Sequence, residues 1–283
     1  MGEFDMEKEV YAKDYTVPEL IAVNIARKLK DYGQAHIGVT RGAGRSFTYI
    51  IGIPMVAATL AKRIGYAPNY YWIDGTTFNR RIDETRNRDE MRSPKIRSEG
   101  MVGTWPNLVN PGLEHCPRLT NSFSAGAQID KYGNLNCTFI GDYHKPKVYL
   151  GQLQAQPEQM MFAETSFILQ HTHERRVFVE KADFISSVGY LNGGDSREKA
   201  GLPPKQAIKV YSNLAALDFE EKTKQMRLVS VHPGVTVERV KENTGFDLVI
   251  PEKVPETERP TEQEVDMIRN QIDPHGIYLT VKD

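Results

Sequence analysis

The chain has 283 residues, 36 Lys+Arg against 37 Asp+Glu for a formal net charge of −1, and is 40% apolar and 9% aromatic. That length buries a sizeable core, and the balanced charge argues against a nucleic-acid partner, whose binder normally carries a strong basic excess. No apolar run reaches the roughly 18 residues of a membrane span and the acidic start MGEFDMEKEV has no apolar signal region, so no membrane partner and a cytoplasmic location are expected.

Thr16, Pro18 and Glu19 give a T-x-x-E helix start, followed by Leu20, Val23, Ile25 and Leu29 at roughly helical spacing. Asp31-Tyr32-Gly33 ends that helix. Residues 35–39 read as a buried strand entering Arg41-Gly42-Ala43-Gly44-Arg45. Glycines there let backbone N–H groups approach an anion. No Lys-Ser/Thr completes a P-loop, however, and the third glycine of a dinucleotide fingerprint is missing. Residues 54–64 form a second helix, stopped before Gly65 and Pro68, and residues 70–73 a second strand running into Asp74-Gly75. This alternation predicts an α/β domain with an open, mostly parallel sheet flanked by helices, whose ligands sit at the carboxyl ends of the strands. Asp74-Gly75 lies at such an end.

From Thr76 to Glu99 seven Arg/Lys and five Asp/Glu stand among 24 residues. The stretch 76–105 is therefore a charged surface excursion. Arg80, Arg81, Arg86, Arg88 and Arg92 suit a lid or a phosphate-gripping segment, whereas the near-cancelling acids favour a solvated mixed-charge face. Patterning resumes near Leu119. Residues 122–130 and 135–140 read as strands around the turn 131–134, and 176–180, 208–213 and 226–231 as further strands. Residues 167–173 are ambiguous with helix, and 217–219 read as part of a connection. Residues 236–243 form a short helix closed by Gly245, 251–260 a Pro/Glu linker, and Thr261-x-x-Glu264 opens a C-terminal helix. The whole, 1–283, is taken as one domain.

Cys116 and Cys137 lack metal-site spacing and form no disulfide framework. His171 and His173, two apart, are not followed by further ligands at metal-site spacing, and HExxH is absent, so no metal is expected. No G-x-S-x-G elbow is present. Residues 126–147, GAQIDKYGNLNCTFIGDYHKPK, stand apart, because glycines and amides flank a strand–turn–strand and Asp142-Tyr143-His144-Lys145 gathers polar groups after a strand. Composition supports a loop lining a ligand site, with Tyr143 and His144 as polar pocket residues.

Together with Lys62-Arg63 and Tyr66-Ala67-Pro68, GDSREKAGLP (194–203), FEEKTK (219–224) and ENTGFDL (242–248), this block resembles the β-type subunit of the class I CoA-transferases. The longest motif matches are to the glutaconate CoA-transferase branch. The resemblance covers most of the chain. It implies a CoA-transferase-like α/β fold, an α-type partner subunit in a heterodimer or heterotetramer, and an acyl-CoA thioester as substrate with no permanently bound cofactor.

In that family a glutamate of the β-type subunit attacks the thioester carbonyl, splitting one difficult exchange into easier covalent steps, and backbone N–H groups stabilise the oxyanion. The resemblance puts Gly126, Ala127 and Gln128 at the small-residue segment, and Asp74, Gly75 and Thr76 at the strand end where the family glutamate stands. Asp74 is one methylene shorter, and misplacing a nucleophile by about 1 Å costs on the order of 100-fold. A second similarity, through residues 176–180, 186–190, 212–214 and 229–236, is to the β-type subunit of the heteromeric hydrolase that opens the last steroid ring as a CoA thioester. That enzyme carries Asp-Gly at the same strand end and takes its glutamate from the α-type partner. Three readings stand: CoA transfer through Asp74, acyl-CoA hydrolysis or C–C cleavage of a cyclic acyl-CoA with Asp74 shaping the pocket, and a non-catalytic scaffold half. The motif lengths put transfer first.

Overall fold

Thr16 opens the first helix, α1 (Val17–Ala26), through a complete capping box. Its hydroxyl accepts from the Glu19 N–H, and the Glu19 carboxylate accepts from the Thr16 N–H at 2.7 Å. The computed structural model describes residues 10–37, 44–74, 77–92, 95–101, 119–150 and 156–281. The acidic first nine residues, Arg41-Gly42-Ala43, Gly75, Thr76, residues 102–105 of the expected excursion and Cys116 lie outside the described residues.

In chain order the strands are β1 (Gln34–His36), β2 (Tyr71–Asp74), β3 (Thr77–Phe78), β4 (Gly100–Met101), β5 (Asn121–Ser124), β6 (Gln128–Asp130) and β7 (Leu135–Asn136). They continue as β8 (Phe139–Gly141), β9 (Pro146–Tyr149), β10 (Thr165–Gln170), β11 (Phe178–Val179), β12 (Ala207–Ser212), β13 (Ala215–Phe219) and β14 (Met226–Val231). Among the described residues nine of them build one sheet in the order β14-β13-β12-β10-β5-β1-β2-β3-β4. Its centre, β12-β10-β5-β1-β2, is parallel, and antiparallel strands extend both edges. β11-β6-β7 form a second, small sheet, and β8-β9 a hairpin. The expected mostly parallel α/β sheet is present.

The helices that follow α1 are α2 (Ile53–Ile64), α3 (Gln156–Phe162), α4 (Ser196–Lys199), α5 (Val237–Glu242) and α6 (Glu262–Met267). A π-helical turn, Thr48–Gly52, feeds α2. Gly52 is required there, because a Cβ would lie 1.9 Å from the Tyr278 carbonyl oxygen. Alternation along β10 divides the core into two faces. Phe167 and Leu169 join Ile21, Ile25, Val56, Leu60 and Trp72 beneath α1 and α2. Ile168 points the other way and packs with Ile129, Leu135 and Phe178 of the small sheet. No helix among the described residues is long and apolar enough to cross a membrane.

Several element boundaries differ from the sequence reading. Residues 122–130 are two strands in different sheets, separated by a bend at Ala125–Ala127. A Cβ on Gly126 would sit 2.7 Å from the Gln128 carbonyl oxygen, so this position accepts the close approach only as glycine. Residues 135–140 likewise divide between β7 and β8. The ambiguous residues 167–173 are strand β10 up to Gln170, buried on both faces and therefore without period-2 alternation. Residues 217–219 are not a connection but the end of β13, and α3 and β9 have no counterpart in the sequence reading.

The segment 251–260 joins α5 to α6 while lying along β14. The Pro255 carbonyl accepts from the Val231 N–H, and buried Thr257 donates its N–H to the Val231 carbonyl at 2.7 Å. Proline lacks a donor but keeps its acceptor, so a Pro-rich stretch still hydrogen-bonds from one side. The predicted box at Thr261–Glu264 caps α6. The two cap glutamates also cross-brace the helices. Glu19 receives Arg269 at 2.7 and 2.9 Å, and fully buried Glu264 receives Arg27 at 2.8 and 2.6 Å.

Candidate functional site

The carboxyl ends of β1, β2, β5 and β10 lie side by side. β2 finishes at Asp74, one residue beyond Ile73, which pairs with His36 of β1. Asp74 then pairs antiparallel with Thr77 and Ile73 with Phe78, so the chain reverses directly after the strand. Of the expected strand-end residues, Asp74 is thereby at the edge of the sheet's parallel centre. Gly75 and Thr76 fall outside the described residues.

The described part of the excursion folds back onto this end. The side-chain oxygen of buried Asn79 accepts from the Trp72 N–H at 2.8 Å, and its amide donates to Glu99, which also receives Lys62. Arg81 and Arg63 both engage Asp83, Arg97 engages Glu84, and the Arg88 guanidinium lies 4.1 Å from the centre of the Phe47 ring. These arginines hold the excursion together as a mixed-charge face.

Gly126, Ala127 and Gln128 form the bend by which the chain leaves β5 for the small sheet. The Ala127 N–H donates to the Asn136 carbonyl at 2.9 Å, and the Ala125 carbonyl accepts from Gln156 at 3.0 Å and the Cys137 thiol at 3.1 Å. Burial pushes that thiol's pKa up, which suits a packing role. The Gln128 side-chain oxygen accepts from Asn136 at 2.8 Å and from the Asp183 N–H at 3.0 Å, so it braces the bend. Much of the GAQIDKYGNLN block is architectural in this way. Asp130 accepts from the N–H groups of Tyr132 and Asn134, while the Asn134 side-chain oxygen accepts from those of Gly189 and Leu191.

Tyr143 and His144 lie apart from the bend, at the solvent-exposed tip of the β8–β9 hairpin, where Asp142 accepts from the N–H groups of His144 and Lys145. Tyr143, 67% exposed, meets Phe139 edge-on at 5.8 Å, and Phe139 packs on Phe184 at 5.0 Å. Val148, Tyr149, Leu150, Phe184 and Ile185 are also exposed, whereas Phe139 itself is buried. The hairpin is tied to the bend through Asp183, which accepts from the Gly141 N–H and donates its own N–H to Gln128.

The sequence reading missed a polar row on the sheet face toward the small sheet. The Ser122 and Ser166 hydroxyls are 2.7 Å apart, and Lys205 donates to Ser166 at 2.8 Å and to the Ala163 carbonyl at 2.6 Å. Burial, reinforced by the positive charge of Arg197, brings the Lys205 pKa down to about 7. Farther along the same face stand Ser124 and Gln170. The signal was available: Ser122 and Ser124 alternate along one strand, a spacing that puts both on one face. Among the described residues no group of three or more His, Cys, Asp or Glu is placed to hold a metal ion. His173 bonds Ser212 and Thr244 instead.

This fold is that of a known enzyme class, and sequence comparison agrees. The family model for coenzyme A transferase matches residues 117–243. The chain is 34% identical to the B subunit of glutaconate CoA-transferase from Acidaminococcus fermentans, over 95% of this chain and 96% of that one. It is 42% identical to the B subunit of 3-oxoadipate CoA-transferase from Pseudomonas knackmussii, with 90% and 92% covered. Identity to the IpdB subunit of the cholesterol ring-cleaving hydrolase from Mycobacterium tuberculosis is 33%, with 93% and 96% covered. The crystal structure of the Acidaminococcus fermentans glutaconate coenzyme A-transferase superposes with a TM-score of 0.78 at 32% identity, covering 96% of this chain and 100% of that chain. The chain belongs to the coenzyme A transferase family.

Proposed function

We propose that residues 1–283 form one CoA-transferase-like domain, the β-type subunit of a cytoplasmic hetero-oligomer with an α-type partner, which moves CoA between carboxylic acids. The acyl-CoA thioester is the substrate, and no permanently bound cofactor takes part. The observation that carries this reading is the full-length similarity to the B subunits of two CoA-transferases, joined to a carboxylate, Asp74, at the end of a central parallel strand. In this mechanism the Asp74 carboxylate attacks the thioester carbonyl, expelling CoA thiolate and leaving an acyl-aspartyl anhydride. The thiolate then attacks the aspartyl carbonyl, releasing the first carboxylate, and the acceptor carboxylate reverses the sequence. Gly126, Ala127 and Gln128 line the acyl side of the site, with Gly75 and Thr76 beside Asp74. The exposed β8–β9 hairpin tip with Tyr143 and His144 is the face offered to the α-type subunit, because the hairpin is linked to the Gly126–Gln128 bend through Asp183.

Hydrolysis or C–C cleavage of a cyclic acyl-CoA is the second reading, favoured by the IpdB similarity and by an aspartate rather than a glutamate at position 74. The two separate on one experiment. In the assembled complex with acyl-CoA, borohydride or hydroxylamine is expected to trap a covalent adduct on Asp74, and Asp74→Ala to lower exchange by at least about 1,000-fold, the scale of losing a catalytic nucleophile. Full turnover without labelling, and an Asp74→Ala complex that keeps most of its activity, would overturn transfer and leave the partner-supplied base.

A further inference from the structure

The reversal that follows β2 is closed by a side chain. Ile73 pairs with Phe78 and Asp74 with Thr77, so the next rung of the ladder sets Trp72 opposite Asn79. In a hydrogen-bonded antiparallel rung each residue gives its N–H to the other's carbonyl. Half of that rung is regular here, since the Asn79 N–H donates to the Trp72 carbonyl at 2.9 Å. The other half is not: the Trp72 N–H donates to the Asn79 side-chain oxygen at 2.8 Å. Asn79 has φ +42°, a left-handed conformation that ends β3, and its side-chain oxygen stands in for the backbone acceptor that a regular strand residue would offer.

The same residue gathers both ends of the excursion. Its side-chain amide donates to Glu99 at 2.6 Å, and the Glu99 N–H donates to the Phe78 carbonyl at 3.0 Å just before β4. Lys62 of α2 donates to the same Glu99 oxygen at 2.9 Å. Asn79 is 7% exposed, a depth at which an unmade hydrogen bond costs more than it does in water. Trp72, two residues before Asp74, is packed in the core beneath α1 and α2. Asn79 therefore ties the anchored part of β2 to α2 and to the returning chain, and the end of the strand is held from three sides. A non-glycine residue in the left-handed region persists where its surroundings over-determine it, and here they do so next to the proposed reacting carboxylate.

We propose that Asn79 is a positioning residue for the reaction, fixing the strand end that carries Asp74 through the Trp72 backbone. This rests on the reading that Asp74 acts at the acyl-CoA site. Asn79→Gly keeps the left-handed backbone and removes only the side-chain bonds. In the assembled complex it is expected to lower kcat on acyl-CoA by on the order of 10- to 100-fold, the scale of a misplacement of about 1 Å, with KM nearly unchanged. Asn79→Asp keeps the acceptor for Trp72 but sets a carboxylate against Glu99, and should be slow as well. Adding Glu99→Gln to it swaps donor and acceptor across that contact at constant total charge, and should restore most of kcat. Hydrogen exchange at the Trp72 amide should quicken in Asn79→Gly and slow again in the double variant. Full kcat in Asn79→Gly, a double variant no faster than Asn79→Asp, or a loss confined to KM would overturn the proposal and leave Asn79 as a turn residue. Should Asn79→Gly fail to assemble, Asn79→Asp with and without Glu99→Gln decides. A slow Asn79→Gly complex beside a fully active Asp74→Ala one would instead sink the Asp74 reading and keep Asn79 as the residue that sets the strand end.

Discussion

The two faces of the central sheet meet different neighbours and carry different residues. Under α1 and α2 the face is apolar, with Phe123 and Phe167 stacked at 5.3 Å among Ile21, Ile25 and Trp72. Toward the small sheet it carries Ser122, Ser124, Ser166 and Gln170, next to half-buried Lys205 and, at its far end, His173 and His232. The difference teaches that the helix face is predominantly apolar, while the small-sheet face combines a second apolar core around Ile129, Ile168 and Phe178 with polar groups kept dry beside the carboxyl edge. There each unpaired hydrogen-bonding group is costly.

That contrast can be broken or sharpened by experiment. On the helix face Phe167→Ala is expected to cost about 4 kcal/mol, a transfer loss plus a cavity, read from urea unfolding; a cost below about 1 kcal/mol would mean the face is not close-packed. Across the sheet, Arg197 is 3% exposed and donates to the carbonyls of Pro203, Gly189 and Met161 at 3.0, 2.8 and 2.6 Å. Arg197→Met leaves three buried acceptors unpaired and should cost about 3 kcal/mol, with melting temperature as the readout. The two buried histidines come next. Burial drives the pKa of His173 down to about 3 and of His232 to about 4, whereas the unfolded chain titrates near 6.5. The neutral rings therefore contribute fully above about pH 6.5. As pH falls below that value the unfolded state takes up protons first, and stability drops by up to about 1.4 kcal/mol per pH unit for each ring until the folded pKa is reached. Unfolding midpoints at about pH 7 and pH 5 should differ accordingly, and His232→Asn should flatten the slope. The smallest effect belongs to the excursion, where Arg97 is 74% exposed in its pair with Glu84. Arg97→Ala should change stability by less than about 1 kcal/mol, and double-mutant cycles with Glu84→Ala would register a larger coupling if the excursion were more than a solvated face.

Local signals were legible wherever one segment decided its own structure. Both capping boxes formed where Thr16–Glu19 and Thr261–Glu264 indicated, since a hydroxyl and a carboxylate three residues apart satisfy two orphan N–H groups without help from elsewhere. α2 and β14 fall within a residue of their expected spans for the same reason. β10 was obscured because strands covered on both faces lose alternation. In the Arg-rich 76–105 stretch the charge drew attention, yet among the described residues Arg81 and Arg97 pair with Asp83 and Glu84 of the same stretch. Gln170 escaped notice, because a lone glutamine in an apolar strand signals nothing, and the Ser122/Ser124 spacing gained meaning only when the strand was seen to pair with Ser166 of β10.

The sequence by itself determined the starts of α1 and α6, the parallel α/β order and the family, through motifs whose residues meet close to one another along the chain. Only the tertiary structure decided that each cap glutamate serves the arginine of the other helix, that Gln128 and Asn134 are braces, and that Tyr143 and His144 stand in solvent. The reason is range. Capping and turn geometry act over three or four residues, whereas Glu19 and Arg269 are separated by 250 positions and meet at 2.7 Å only after the sheet has formed.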